Sequence, residues 1–534
     1  MNIYRLAFAA SLCLLIAGCG KTGDPVQGED ETPVSDERIK EILVELYDAT
    51  DGPNWTEQPN WAEDRTIPLP LWDGVSFFPD GDSDSSIGFG LDFHGYGLRG
   101  EIPSCIFSIN ILTSLNLNRN ELTGQIPDAI GDAKALADIR MDDNSLTGNI
   151  PASLSGLQHL MGFSVEDNKL SGKVPDDVVA MPYFYRFELE QSDGYGLEYP
   201  QPVEDLQEKA AFKAFYETLP EDVKKSCPWD GEAPLSSTGF IVLDGKGHIV
   251  AMELIGEDSG QEVVLNDDFL ELTHLRYLEL HMMAVKSLPE NFSRLASLEL
   301  LTMYKTQLET FPKALMSMKN LRHLFLIYSR IDSIPDGIGE MSGLRSLSVY
   351  GSRLSGYISR NYTKIPLRYL EICRSSEEEE LGGMPSYQIS DFLEGPSTLN
   401  YLFLNRMCLE GELPGQLPSV MPDMYYLDLG NNNISGSVPA SYAGMHHLLI
   451  LDLYKNRMSG ELPQEILDSP YCQYWQLDWQ QEGYGFTNLP PDSAEPETMN
   501  RMSCGRVRSA EDIRADVLRQ AAIECGGAKF LDRR

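Results

Sequence analysis

Basic residues are scarce in this 534-residue sequence. Only 42 lysines and arginines stand against 81 aspartates and glutamates, which sets the formal net charge at −39 at pH 7. A surface of that sign repels phosphate backbones and anionic lipid headgroups. We therefore expect no nucleic-acid partner.

The motifs of catalytic and metal centres are absent as well. The sequence has no Gly-x-Ser-x-Gly, no His-Glu-x-x-His and no dinucleotide-binding glycine loop, and its 8 histidines are scattered without metal-ligand spacing. Acids alternate over residues 80–84 as in a calcium loop, but the glycine and glutamate of such a loop are missing at its sixth and twelfth positions. A solvated loop is the favoured interpretation. We expect a protein that is not an enzyme and that holds no metal or cofactor.

Closely spaced cysteine pairs, typical of metal sites, are also missing. Seven of the 9 cysteines lie beyond residue 19, and they form no Cys-x-x-Cys motif. Because seven is odd, at least one thiol stays free or pairs between chains; Cys504 with Cys525 is the one pairing that we name. The other five are Cys105, Cys227, Cys373, Cys408 and Cys472.

The N-terminus has no apolar run long enough to span a bilayer. Arg5 precedes an apolar stretch over residues 6–16, which is the length of a secretory signal. The string Ile16-Ala17-Gly18-Cys19 is similar to a bacterial lipobox. That resemblance implies that residues 1–18 are removed and that Cys19 is diacylated, so that its lipid provides the membrane contact. The alternative is an ordinary cleaved signal.

Localisation follows from the same resemblance. Residue 20 is glycine, whereas an aspartate there is associated with inner-membrane retention, so an outer-membrane lipoprotein is implied. Residues 19–34, rich in glycine, proline and acids, are expected to form a flexible tether. The acids favour exposure at the cell surface, and a periplasmic orientation is the alternative.

Internal repetition dominates the remaining chain. Prolines recur at intervals of 24 residues in one segment and of 23 residues in another. They are Pro103, Pro127, Pro151 and Pro175 in the first segment and Pro289, Pro312 and Pro335 in the second. Each unit contains a Leu-x-Leu core, typical of a short strand, and an asparagine that can bind backbone groups of a neighbouring turn. Because no unit can bury its own apolar face, the units must stack.

The repeated unit, seen at Leu112-Thr-Ser-Leu-Asn-Leu-Asn-Arg-Asn120-Glu-Leu-Thr-Gly-Gln-Ile-Pro127, resembles the leucine-rich-repeat family. Residues 91–192 and 399–481 are similar to its plant-specific class, and residues 265–360 to its 23-residue typical class. The resemblance implies an α/β solenoid with two capped arrays. Each array would have a parallel concave sheet and an irregular or short-helical convex side.

The predicted domain organisation follows from this resemblance, because a stacked array needs caps at its ends. We expect an N-terminal cap at 35–90, a first array at 91–203, a second cap-like helix and hairpin at 204–264, a second array at 265–490 and a tail at 491–534. An amphipathic helix and tryptophans would form the first cap, with the tryptophans in its core. The tail is expected to be helical over residues 511–523.

The third, fifth and seventh positions of each Leu-x-x-Leu-x-Leu-x unit are predicted to form the concave surface. None of them is aromatic in the first array, whereas the second array carries many aromatics, with four arginines at position two. The aromatic residues, with Tyr328 beside them, are Tyr277, Tyr304, Phe325, Tyr328, Tyr350, Tyr369, Tyr401, Phe403, Tyr426 and Tyr454. The arginines are Arg276, Arg322, Arg345 and Arg368, and His281, His323 and Ile327 share the aromatic face.

This face favours a binding protein. Tyrosine supplies contact area with a hydroxyl for specificity, and the arginines favour an anionic ligand. We expect an extracellular protein or glycan as the partner, including an anionic one.

Two alternatives accompany this interpretation. The aromatics could pack against cross-strand neighbours while the arginines pair with Glu279, Glu299 and Glu371. The protein could also be an assembly scaffold among cell-envelope proteins. The acidic insertion at residues 377–380 is predicted to be a solvated loop, with gating of the concave face as its other interpretation.

Overall fold

The computed structural model describes residues 34–488, except residues 68, 70–71, 80–86, 182–183, 185–186, 201–203, 375–385, 395–397, 446, 449, 469–475 and 478–479. Outside the described residues lie the predicted signal and tether, Cys19, the acidic segments at 80–84 and 377–380, Cys472, and the tail with Cys504 and Cys525. The chain forms two units, one made mostly of residues up to Glu204 and the other mostly of residues from Asp205 onward.

The first unit opens with helix α1 (Asp36–Ala49). Ser35 caps it by accepting a hydrogen bond from the Arg38 amide. Its apolar residues recur at helical spacing, so one face is buried. That face consists of Ile39, Ile42, Leu43 and Leu46.

Three tryptophans pack behind this helix. Trp55, Trp61 and Trp72 are 4%, 1% and 2% exposed, and the rings of Trp61 and Trp72 stack at 4.8 Å. Each indole N–H donates to a backbone carbonyl, as buried tryptophan requires. These residues are therefore core rather than a platform for a ligand.

Ten strands and a short helix, α2 (Asp176–Val179), complete the first unit. The strands are β1 (Val75–Pro79), β2 (Ile87–Asp92), β3 (Arg99–Glu101), β4 (Leu112–Asn116), β5 (Glu121–Thr123), β6 (Asp138–Arg140), β7 (Thr147–Gly148), β8 (Gly162–Ser164), β9 (Lys169–Lys173) and β10 (Gly196–Glu198). The concave sheet has the order β1-β2-β4-β6-β8 and is parallel except for the β1-β2 pair. Smaller parallel sheets have the orders β10-β9-β7 and β3-β5.

The second unit repeats this layout on a larger scale. Its helices are α3 (Leu206–Glu217), α4 (Glu221–Ser226), α5 (Ile389–Phe392), α6 (Leu417–Val420) and α7 (Gln464–Leu467). Its strands are β11 (Ile241–Leu243), β12 (Ile249–Ile255), β13 (Tyr277–His281), β14 (Leu300–Tyr304), β15 (His323–Ile327), β16 (Ser346–Ser352), β17 (Tyr369–Arg374), β18 (Tyr387–Gln388), β19 (Tyr401–Phe403), β20 (Leu409–Glu412), β21 (Tyr426–Asp428), β22 (Asn433–Gly436), β23 (Ile450–Asp452), β24 (Arg457–Gly460) and β25 (Gly485–Phe486).

A ten-stranded sheet, β11-β12-β13-β14-β15-β16-β17-β19-β21-β23, forms the concave side of this unit, and β18-β20-β22-β24-β25 forms a second sheet. From β12 onward the neighbouring strands of the large sheet are parallel. Prolines such as Pro312 and Pro463 precede single 3₁₀ or α turns on the other side, where the missing N–H of proline costs nothing. The predicted solenoid of parallel strands and short helical turns is confirmed.

Asparagine side chains hold consecutive repeats together. The Asn144 Nδ2 group donates to the carbonyls of Leu117, Met141 and Asp142 at 2.9–3.1 Å, and its Oδ1 accepts from the Leu122 amide at 3.0 Å. Asn120, Asn168, Asn432 and Asn456 make equivalent sets of bonds. Each buried amide thus satisfies backbone groups that the turn leaves without strand partners.

The ladder changes residue type where the repeats change. Gln191 and Gln480 take the asparagine position at the end of each array and make the same kind of backbone bonds with a longer side chain. In three of the 23-residue repeats the smaller hydroxyl residues Thr306, Ser329 and Ser352 fill this position, and Ser329 and Ser352 bond to each other at 2.9 Å. The residue type at this position, and the hydrogen bonds that it makes, therefore differ between the two repeat classes.

Among the four cysteines that the structure describes, Cys227 and Cys373 are buried thiols, and Cys105 and Cys408 are free thiols of intermediate exposure. Within the described ranges, no helix has both the length and the apolar character needed to cross a bilayer.

The ladder predicts a specific loss of stability. Asn144→Ala leaves one amide and several carbonyls of adjacent turns without partners, so the free energy of unfolding should fall by about 2 kcal/mol. Asn149→Ala is the matched control, since this exposed side chain makes a single bond to the Lys173 carbonyl and its loss should cost less than about 0.5 kcal/mol. Urea denaturation measures both, and equal losses would contradict the ladder's role.

Candidate ligand-binding face

The strand registers of the second unit set out the concave side chains in rows. Leu278 and Leu280 of β13 are fully buried in the core, so the residues between them lie on the concave side. One row contains Glu253, Glu279, Thr302, Phe325, Ser348 and Glu371. The next row, nearer the strand ends, contains Ile255, His281, Tyr304, Ile327 and Tyr350.

Six of the predicted aromatic site residues are buried, which corrects the expectation that all of them face solvent. Tyr277, Phe325, Tyr369 and Phe403 are 0% exposed, Tyr426 is 4% exposed and Tyr401 is 6% exposed. Their rings contact across strands, as Tyr369 and Phe403 do at 5.5 Å and Phe403 and Tyr426 do at 4.9 Å. Cross-strand packing, the alternative interpretation, accounts for these six residues.

The other aromatics keep accessible surface. Tyr304, Tyr350 and Tyr454 are half-buried, and Tyr328 is 37% exposed. Tyr328 meets Tyr304 edge to face at 5.7 Å and Tyr350 edge to face at 5.3 Å, so the three form one continuous tyrosine row. The Lys305 ammonium lies 5.5 Å from the Tyr304 ring centre and 5.7 Å from that of Tyr328, which adds a positive charge to the tyrosine row.

Tyr328 sits in a strained backbone conformation. Its φ is 52°, in the left-handed region, where a bulky residue is disfavoured by about 1–2 kcal/mol. The equivalent residue of the next repeat is Gly351, and a Cβ placed there would lie 2.5 Å from Cδ1 of the Tyr328 ring. The glycine therefore leaves room for the ring to cross from one repeat to the next.

The four arginines are half-buried, and acids or carbonyls of the protein engage Arg276, Arg322 and Arg345. Arg276 donates to Glu299 at 2.6–2.7 Å, and the Nε of Arg322 lies 4.0 Å from the other oxygen of the same carboxylate. Arg345 donates to the carbonyls of Gly343 and Leu344. The alternative in which arginines pair with acids therefore holds for Arg276 and Arg322, and the predicted basic stripe is partly neutralised by Glu299.

Glu279 and Glu371 find partners other than these arginines. Glu279 Oε2 lies 3.0 Å from His281 Nε2, and Glu371 accepts hydrogen bonds from the hydroxyls of Ser348 and Tyr369. Burial lowers the pKa of His281, while the charge of Glu253 acts in the opposite direction.

A further buried acid lies at the other end of the sheet. Burial raises the pKa of Asp428 to about 6, although hydrogen bonds from the Gly430 amide and the Asn405 side chain favour the charged form.

The concave face of the first unit is polar. Ser114, Asn116, Asp138, Arg140 and Ser164 are 1–2% exposed, and the Arg140 Nε lies 3.4 Å from Asp138. These five side chains are polar and almost fully covered.

Two features escaped the sequence reasoning. Lys305 occupies the eighth position of its repeat, which the predicted concave set leaves out. Its spacing of 23 residues from Tyr328 is the signal that would have grouped the two residues. The second feature is a group of three side chains, Glu253, Glu279 and His281, whose ligand atoms lie within 4.8 Å of one another. Glu253 precedes the first repeat of the second array, so the repeat pattern of the sequence does not include it.

Stacked parallel strands joined by tight turns define a repeat solenoid, and two family models identify its class. A model described as a leucine-rich repeat region matches residues 251–382, and one described as a leucine-rich repeat matches residues 112–133. Both matched segments are therefore leucine-rich repeats.

The chain is also similar to Receptor-like protein 52 of Arabidopsis thaliana. The two are 35% identical over 68 residues, which are 13% of this chain and 8% of the relative. The chain therefore matches only a small part of the relative's length.

Solved structures with a likeness to this chain include two plant receptors and a bacterial protein. The plant peptide hormone receptor RGFR1 in complex with RGF2 is 20% identical with a TM-score of 0.34, over 72% of this chain and 65% of the receptor. The ectodomain of the Arabidopsis receptor kinase HAESA in complex with an IDA peptide hormone is 20% identical with a TM-score of 0.36, over 83% of this chain and 66% of the ectodomain. An internalin of Listeria monocytogenes is 15% identical with a TM-score of 0.30, over 75% of this chain and 87% of the internalin.

The division of the aromatics predicts unequal costs of truncation. Tyr369→Ala removes a fully buried ring and should lower the free energy of unfolding by about 3–5 kcal/mol. Tyr328→Ala removes an accessible ring and should cost less than about 1 kcal/mol. Chemical denaturation of the two variants compares them, and similar losses would overturn the division.

Asp428 predicts a pH effect of defined sign. The folded pKa of about 6 lies above the ordinary aspartate value of 3.8, so the carboxyl releases its proton at a lower pH in the unfolded chain, and wild type loses stability as pH rises between these values. Asp428→Asn should therefore gain stability relative to wild type over this range, by on the order of 2 kcal/mol.

Denaturation at several pH values measures this difference, and Asp336→Asn provides the control. Hydrogen bonds from Ser359 and Tyr357 lower the pKa of Asp336, so its contribution to stability is lost as pH falls and the variant's difference should have the opposite sign. A difference for Asp428→Asn that does not vary with pH would contradict the expectation.

Proposed function

We propose that the protein is a non-enzymatic binding protein whose second unit recognises an extracellular protein or glycan through the tyrosine row. The observation that carries this proposal is the contact of Tyr304, Tyr328 and Tyr350 across consecutive repeats, with part of each ring accessible. Aromatic rings of this kind contribute large contact areas and are enriched at the centres of binding surfaces.

Pre-packing supports a role in binding. The three rings hold one another edge to face, and Tyr328 lies against Gly351, so little side-chain freedom remains to be lost when a ligand binds. Tyr328 keeps a bulky side chain at a backbone position where glycine would be less strained. Met282 and Lys305, at the same position of the two preceding repeats, have the same left-handed φ, so the turn of the repeat sets this conformation and presents the ring.

Charge defines the ligand further. Lys305 lies against two of the three rings and supplies a cation in a chain whose net charge is −39. A ligand with a carboxylate, sulfate or phosphate beside an apolar or sugar face would contact both the ammonium and the rings. Arg276 and Arg322 serve this surface indirectly, since both are engaged by Glu299.

We further propose that the lipid on Cys19 holds the protein at the outer membrane, with the repeats exposed at the cell surface. The lipobox string and the glycine at residue 20 support this placement. An assembly role is the second candidate, because Tyr195 and Tyr484 are 47% and 48% exposed at corresponding positions before the last strands, β10 and β25, of the two units.

Binding to arrays of neutral glycans, anionic glycans and extracellular matrix proteins tests the proposal. The combined variant Tyr304→Ala, Tyr328→Ala, Tyr350→Ala should weaken binding by about 2 kcal/mol or more, because truncated aromatic anchors typically cost that much. Gly351→Ala should also weaken binding, since the added methyl displaces the Tyr328 ring without removing any aromatic. Lys305→Ala should act mainly on anionic ligands.

The matched control removes three other accessible tyrosines, Tyr195, Tyr357 and Tyr484, which are 47%, 58% and 48% exposed. This control should bind like wild type. Loss of binding in the control with retention in the tyrosine-row variant would move the site to the array ends, and the absence of any ligand on the arrays would favour the assembly role.

A further inference from the structure

Three metal-ligating side chains converge at the start of the large concave sheet. Glu253 of β12 and Glu279 of β13 are register partners on neighbouring parallel strands and are 2% and 1% exposed. His281 lies two residues after Glu279 on the same face, and its Nε2 is 3.0 Å from Glu279 Oε2 and 3.8 Å from Glu253 Oε1. One ligand atom from each residue lies within 4.8 Å of the other two.

A fourth polar group adjoins the cluster. Thr302 of β14 is the register partner of Glu279 on its other side, so its side chain belongs to the same concave row. It is 1% exposed, and its Oγ1 has no hydrogen-bond partner among the residues described. A buried hydroxyl in this condition requires an explanation, and an ion bound beside it provides one.

We propose that Glu253, Glu279 and His281, together with the hydroxyl of Thr302, bind one divalent transition-metal ion, with Zn²⁺ as the best fit. Two carboxylates bring two negative charges into a buried row, and a divalent cation compensates both. Zn²⁺ takes four ligands and accepts imidazole nitrogen with carboxylate oxygen. Ca²⁺ takes six to eight ligands and Mg²⁺ six, in both cases mainly oxygen atoms, so a set of three or four that includes a nitrogen suits them poorly.

The position of the cluster gives the ion a structural consequence. The His281 ring lies 5.7 Å from the ring of Tyr304, which belongs to the tyrosine row. An ion on His281 Nε2 would fix the orientation of this imidazole against Tyr304. The metal site stands on its own residues and does not depend on the proposed ligand of the tyrosine row.

The second unit contains another histidine–glutamate pair, His274 with Glu208, and the ring of His248 stacks on that of His274 at 3.7 Å. His274 Nδ1 lies 2.7 Å from Glu208 Oε1, and Glu208 is buried, so this pair reproduces the contact between His281 and Glu279. Within the described residues, the group of Glu253, Glu279 and His281 is the one that meets the distance condition for a metal site. His274→Gln therefore serves as the control for a histidine that is paired with a buried glutamate outside this group.

Isothermal titration of the chelator-treated, dialysed protein with Zn²⁺, Mn²⁺ and Ca²⁺ tests the proposal. We expect one Zn²⁺ per chain, bound more tightly than Ca²⁺. Glu279→Gln and His281→Gln, which keep the size of the side chains, should each weaken Zn²⁺ binding at least about tenfold. His274→Gln should bind like wild type.

Either of two results would overturn the site. In the first, the wild-type protein binds no Zn²⁺. In the second, Glu279→Gln and His281→Gln leave Zn²⁺ binding unchanged, and this would assign the ion to another part of the protein. Two measurements remain decisive if those variants do not fold. Co²⁺ added to wild type should give the visible absorption of a low-coordinate site with a nitrogen ligand, and a spectrum of hydrated octahedral Co²⁺ would contradict it. Thr302→Val, which keeps the side-chain shape, should weaken binding, and an unchanged affinity would remove the hydroxyl from the ligand set.

Discussion

Hydrogen bonds from buried side-chain amides to the backbone of adjacent turns are the constraint on which the 24-residue repeats of both arrays depend. Asn144 alone binds three carbonyls and one amide, and Gln191 and Gln480 continue the pattern at the ends of the arrays. A turn without these bonds would bury unsatisfied backbone groups at each repeat. Where the amides fix each turn, consecutive strands stack in register. In the 23-residue repeats, which lack these amides, the parallel pairing of neighbouring strands keeps the register and sets out the concave side chains in rows.

Within those rows, position along the strand decides what a side chain does. Residues in the middle of the strands, such as Phe325 and Glu371, are covered by neighbours from both sides and are fully buried. Residues at the strand ends, such as Tyr304 and Tyr350, keep accessible surface, and the left-handed turn after β15 brings Tyr328 between them. The same sheet therefore provides a packed interior row and a row available to a ligand.

On the concave side, the burial of each charged side chain, and not the net charge of the protein, determines which partners it has. Arg276 and Arg322 are held by Glu299 and Arg345 is held by carbonyls, while Lys305 lies against the tyrosine rings. Acids in the interior row receive neutral donors, as Glu371 does from Ser348 and Tyr369. A neutral donor stabilises a buried carboxylate without bringing a second charge out of water.

The sequence by itself determined the solenoid, because the spacing of leucine, asparagine and proline is a local property that each repeat states again, and stacking is the one way such units bury their leucines. It also placed the aromatics of the second unit on one side of the sheet, because side chains alternate along a strand. Only the tertiary structure decided which of them are accessible, since burial depends on neighbours 23 or more residues away in the chain. For the same reason the meeting of Glu253 with Glu279 and His281 became visible only when the strand before the first repeat took its place in the sheet.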